Sequence, residues 1–251
     1  MKTTITHNAD TYVIDLAAPI DISIPIRHGA NGVNAWYLDP AAIVPHEEGA
    51  FVGKISEGAS TNFNDIRFNP HSHGTHTECL GHITEEFYSI NQALNRFFFM
   101  AEVITVTPKK KENDLVISKK QLHVALGDKK RDAVVIRTLP NLDTKRGIDH
   151  SNTNPPYLLE EAAQFLKDSA IEHLLIDLPS VDKEKDNGLL LAHRAFWGMN
   201  VRPRHAATIT ELIFVPNTVI DGTYFLNLQV APFENDASPS RPVLYKIMTN
   251  G

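Results

Sequence analysis

The chain has 251 residues, with 24 Lys and Arg against 30 Asp and Glu, for a net charge of −6. That length suits one large domain or two small ones, and it buries a core without disulfide or metal staples. The acidic balance argues against a nucleic-acid partner, and 42% hydrophobic with 22% charged residues argues against disorder. In chain order, residues 12–16 read as an apolar strand. Residues 18–48 are rich in Pro and Gly and read as long loops with short strands. Residues 51–55 and 62–68 have β-type patterning. Residues 88–98 carry apolar side chains at helical spacing, which predicts a short helix. Residues 103–106 are a β-branched strand, and the charge run 109–112 is a solvated turn. Ser118 opens a helix to residue 126, with Gly127 as its stop. Residues 133–137 are a strand. Pro155 and Pro156 precede a helix over 157–167, whose Leu158, Ala162, Phe165 and Leu166 share a face. Residues 173–178 are a buried strand, and 188–196 are helical or irregular. Residues 208–215, 224–230 and 243–247 are strands. Strands outnumber helices, and hairpin-like and strand–helix–strand connections mix. The expected architecture is a single α/β domain over residues 1–251, without repeat or linker.

No apolar run approaches the roughly 18 residues of a membrane span. The first 20 residues show no basic segment followed by an apolar core, so no signal peptide is expected. The one cysteine, Cys79, has no internal partner, which points to a reducing, cytoplasmic setting.

Histidine is the unusual residue. There are 12, and His71, His73, His76 and His82 fall within one short window. Read as an extended strand, the window puts His76, Glu78 and His82 on one face, with Leu80 between them. Two imidazoles and a carboxylate on one face suit Zn²⁺, Mn²⁺ or Fe²⁺. His71 is out of step by one, and a single-residue bulge over 72–74, eased by Gly74, would return it to that face. Cys79 falls on the opposite face and reads as a small buried hydrophobe. Ser180 and Asp182 lack a nucleophile elbow and read as turn chemistry. Trp36 and Phe63, from segments ahead of the histidines, are candidate substrate-binding residues.

The window resembles the signature of the cyclase family of metal-dependent hydrolases, which includes bacterial kynurenine formamidase and isatin hydrolase. The family pattern is His-x-Gly-Thr-His-x-Asp-x-Pro-x-His. Gly74, Thr75, His76 and His82 match it in register. Ser72 stands at the first His, Glu78 at the Asp and Leu80 at the Pro, so His71 or His73 must supply the first ligand. Ile14-Asp15-Leu16-Ala17 resembles the family's opening strand, and Ile176-Asp177-Leu178-Pro179-Ser180-Val181-Asp182 resembles a later family segment. His193 and Glu211 follow where the family has its last ligands, with His205 as a rival to His193.

The resemblance implies a swivelling β/β/α domain of mixed sheets with flanking helices, assembled as a homodimer or tetramer. It implies one or two divalent ions per chain, zinc or manganese. His71, His76 and Glu78 would hold the first, and Glu78 as a bridge, with His193 and Glu211, the second. His82 would be the catalytic proton carrier. The implied activity is hydrolysis of a small-molecule amide: an arylformamidase of tryptophan breakdown acting on N-formylkynurenine or a similar aryl formamide. Other cyclic amides, lactones or polyketides, or a non-catalytic binding protein of the same fold, are the alternatives.

Overall fold

The computed structural model describes residues 1–248. Four parallel strands lie side by side at the centre of a large mixed sheet: Phe98–Val106, Ala133–Thr138, His173–Ile176 and Thr208–Glu211. Parallel neighbours need long crossovers. The helices Lys119–Leu126, Glu160–Asp168 and Leu191–Trp197 lie in the three crossovers. Ala133–Thr138 is buried along its whole length. Its Val134 and Ile136 join the helix residues Leu122, Leu166 and Phe196 in one core cluster. Ala133 and Val135 join Tyr224, Leu226 and Leu244 in another. A strand covered on both faces reads as the continuous apolar run seen in this segment.

Antiparallel strands extend both sides. Gly222–Asn227, Val243–Met248, Asp10–Asp15 and Lys2–His7 follow Phe98–Val106 outward. On the other side His76–Glu78 pairs with Thr208–Glu211, and Ala237–Pro239 pairs with His76–Glu78. The histidine window therefore meets the carboxyl end of a parallel strand, where open α/β sheets place their ligand sites.

Several elements form as the residues predict. Ser118 and Gln121 make a reciprocal capping box, so the helix starts where expected. Other elements differ. Within 88–98 only Ile90–Ala93 is helical, because Phe98 already opens a nine-residue strand hydrogen-bonded on both edges. Tyr157 and Leu158 pair with Val116 and Ile117, which delays the helix to Glu160. The charge run stays solvated but pairs as a strand, Lys109–Lys111 with Asp114–Ile117. Lys2–His7 adds a hairpin turning at Asn8 and Ala9, both at positive φ.

Candidate metal centre

The histidine window is three short pieces rather than one strand. Pro70–His73 is a helical turn capped by Asn69, whose side chain accepts the His71 N–H at 2.9 Å. His76–Glu78 is the strand, and Leu80–Ile83 is a 3₁₀ turn that carries His82. The bulge expected for His71 is absent, because the helical turn swings that ring inward instead. His82 likewise arrives from the 3₁₀ turn, not from the strand face. Between turn and strand, Gly74 passes so close to Ile24 that a Cβ would stand 2.9 Å from the Ile24 carbonyl oxygen.

Over the strand itself the alternation holds. Thr77 faces away, its Oγ1 2.8 Å from Thr210 Oγ1. His76 lies opposite Glu211 in the ladder, with its Nε2 3.4 Å from Glu211 Oε2.

Imidazoles crowd around Glu78. His71 Nδ1 lies 3.0 Å from Oε2, His82 Nε2 3.9 Å from Oε2, and His193 Nε2 3.1 Å from Oε1. Glu211 Oε1 accepts the Val181 N–H at 2.8 Å and stands 3.9 Å from His193 Nε2. Each ring is tied on its outer nitrogen. His71 Nε2 and His82 Nδ1 meet Asp236 Oδ2 at 2.9 and 3.3 Å. His76 Nδ1 meets the Gly74 carbonyl at 3.1 Å, and His193 Nδ1 meets Asp182 Oδ2 at 2.6 Å. Four rings thus aim one nitrogen each at Glu78 or Glu211. Outer acceptors of this kind orient metal-binding histidines.

Charge follows the same geometry. Burial alone would raise the Glu78 carboxyl, but His82, His193 and His71 outweigh it and hold it well below the usual range. Burial also opposes charge on His71, yet Asp236 and Glu78 raise it to about 10. Asp182 and Glu78 likewise overcome burial at His193 and raise it to about 10. Asp182 and Asp236 are themselves lowered, because these rings outweigh their burial. The acids and the His71 and His193 rings thus favour each other's charged forms.

His76 Nε2 and Glu78 Oε2 are nonetheless buried without a hydrogen-bond partner. The approach of His71 to Glu78 Oε2 is an ion-pair contact lacking hydrogen-bond alignment. An orphaned buried polar atom costs about 1–3 kcal/mol. Three overlapping groups bring ligand atoms within 4.8 Å of one another: His71, His76 and Glu78; Glu78, His82 and His193; and His71, His82 and Asp236. This nitrogen and oxygen donor set fits a divalent cation.

Other singled-out residues fall elsewhere. His73 turns away: its Nδ1 accepts the Asn69 N–H at 2.8 Å and its Nε2 lies 3.0 Å from the Asp39 carbonyl. His205 is exposed and packs on Tyr88 at 5.0 Å. Trp36 borders the cluster, donating from Nε1 to the His71 carbonyl at 3.1 Å. With His150, Pro179, Ser180 and Asp182 it lines a shallow recess. Phe63 does not reach that recess; it is exposed, with its ring edge against His46 at 5.2 Å. Cys79 is buried away from the site, its thiol pushed up to about 11 by burial. Sequence reasoning missed Asp236 and the service of Asp182 to His193. Asp182 sits in a segment that the resemblance had marked. Asp236 lies 165 residues from His71, with no spacing that announces it.

The family model described as "Putative cyclase" matches residues 14–183. The chain belongs to the cyclase family. Solved structures share the fold of this cyclase at low identity. One named a potential metal-dependent hydrolase with cyclase activity superposes with a TM-score of 0.65 at 19% identity, over 91% of this chain and 97% of that one. An isatin hydrolase bound to the product analogue thioisatinate gives 0.65 at 18% identity, over 92% of each chain. Isatin hydrolase A from Labrenzia aggregata, bound to benzyl benzoate, gives 0.62 at 15% identity, over 91% of this chain and 93% of that one. No curated protein matches the cyclase. Among its described residues, no helix is long and apolar enough to cross a membrane.

Proposed function

We propose that this cyclase is a metal-dependent hydrolase of a small aryl amide, with N-formylkynurenine or a similar aryl formamide as substrate. The observation that carries this reading is the inward aim of four imidazole nitrogens at two buried carboxylates. His71, His76 and Glu78 would hold one divalent ion, and Glu78, His193 and Glu211 a second. Zinc or manganese suits both sets. Such an ion supplies Lewis acidity toward a carbonyl and toward water.

The remaining tasks fall to the chain. The His82 side chain is 31% exposed, against 19% for His71 and 2% or less for His76 and His193. His82 alone among these rings combines a place in the cluster with ready access to an incoming substrate. We assign it the proton transfer: its Nε2 takes a proton from the attacking water and returns it to the departing amine. The products would be formate and the free arylamine. A homodimer or tetramer in a cytoplasmic setting belongs to the same reading. Phe51, Ile55, Phe63 and Ile66 are large apolar side chains left exposed, and a second copy would cover them.

A second reading, opening of a cyclic amide such as isatin, draws on the fold shared with isatin hydrolase and needs the same attack on an amide carbonyl. Elemental analysis of protein purified without chelator, paired with a substrate panel, separates the readings. We expect about one or two zinc or manganese ions per chain, formate release from N-formylkynurenine, and loss of that activity on chelation. Metal content far below one ion per chain would sink the proposal. Turnover of isatin alone would shift it to the second reading, and bound metal without turnover would leave a binding protein.

A further inference from the structure

We infer that Asp236 is a positioning residue that sets which ring nitrogen His71 and His82 present to the site. For its consequence in catalysis, the inference rests on the metal-centre reading above. Asp236 lies outside the residues matched by the family model. It stands just ahead of Ala237–Pro239, the strand that pairs with His76–Glu78. Its backbone carbonyl accepts the Cys79 N–H at 3.0 Å, which stitches this segment to the turn carrying His82. The backbone is thereby pinned without help from the carboxylate.

The carboxylate has only the two rings as side-chain partners among the described residues. One oxygen, Oδ2, serves both, because the His71 and His82 rings lie 4.2 Å apart, tilted by 30°. A carboxylate only accepts, so His71 Nε2 and His82 Nδ1 must both carry hydrogen toward it. The nitrogens left for the site are His71 Nδ1 and His82 Nε2, the two that face Glu78 Oε2. Each ring thus offers the site the one nitrogen that does not face Asp236.

The departure from the family pattern gives this carboxylate its task. Ser72 occupies the register position of the first family histidine, and its hydroxyl is spent on Asn34 and Ala35. His71 comes in from the helical turn instead, and Asp236 holds it. Asp182 does comparable work for His193, but it also accepts the Ala192 and His193 backbone N–H groups. Asp236 has no such second duty and is the cleaner residue to test.

The test compares wild type with Asp236→Ala and Asp236→Asn in two assays. One reads the His82 tautomer in metal-free protein from long-range nitrogen–proton correlations on labelled histidine. The other reads zinc affinity by competition with a chromophoric chelator. We expect a fixed Nδ1–H on His82 in wild type and a mixture of tautomers in Asp236→Ala. Zinc affinity should fall about 10- to 100-fold in Asp236→Ala, and less in Asp236→Asn, which keeps an acceptor oxygen. Unchanged ring signals and unchanged zinc affinity in Asp236→Ala would overturn the inference while leaving the metal centre intact. A wild type that takes up no zinc, with ring signals that still respond to Asp236→Ala, would sink the metal centre and leave Asp236 as the holder of the two rings.

Discussion

Glu78 and Glu102 are both shut off from solvent, yet they keep different company. Glu102 takes Lys129 Nζ at 2.7 Å, Arg131 Nε at 3.1 Å and the Thr223 hydroxyl at 2.9 Å. Asp177, also buried, takes Lys145 Nζ at 2.7 Å and the Thr138 N–H. Those acids are neutralised by permanent side-chain cations. Glu78 has imidazoles around it and one oxygen without a hydrogen bond. An imidazole can surrender its proton and offer a lone pair, which lysine and arginine do not do here. The first arrangement is structural cement, and the second is a place where a cation can be exchanged. Buried imidazoles divide in the same way. His173, hydrogen-bonded to Thr208 Oγ1 at 2.8 Å, is pushed down to about 3 by burial and by Arg96 and Arg204. His71 and His193, given carboxylates, are raised instead.

The sharpest way to break this contrast is within the exchangeable cluster. His82→Ala should cut hydrolysis by about 10²–10⁴-fold while elemental analysis finds the metal still bound. Loss of metal with the ring would make His82 a ligand and redraw the cluster. Next comes the fixed pair. Lys145→Ala strips the cation from buried Asp177, and urea denaturation should show a loss of about 3–5 kcal/mol with metal content unchanged. A matching loss of metal would mean that the two kinds of buried acid are not independent. The effect that is smallest per step of pH concerns His173. Its pKa in the fold, about 3, lies below its ordinary 6.5. The unfolded chain therefore takes up a proton that the fold refuses. This contribution is complete above pH 6.5 and is lost as pH falls toward 3, by up to about 1.4 kcal/mol per pH unit. His173→Gln should flatten that part of the stability curve, measured as urea midpoints against pH. An unchanged slope would show that this ring does not carry the acid dependence.

The parts legible in the residues were those whose cause is local. The β-branched run of Ala133–Thr138, the Ser118 capping box and the alternation of His76 and Glu78 each depend on near neighbours in the chain. The window itself was overextended as a single strand, because the Asn69 cap and the 3₁₀ turn at Leu80–Ile83 break the period on both sides of His76–Glu78.

By itself, the sequence determined a mixed α/β chain with a metal-type cluster of histidines around Glu78, and the family to which it belongs. Spacing and motif carry that much, since both are written along the chain. Only the tertiary structure brought His71 inward and turned His73 onto the Asp39 carbonyl, and only it delivered Asp236 from the far side of the chain. Those outcomes depend on hydrogen bonds between distant segments, which leave no period in the sequence to read.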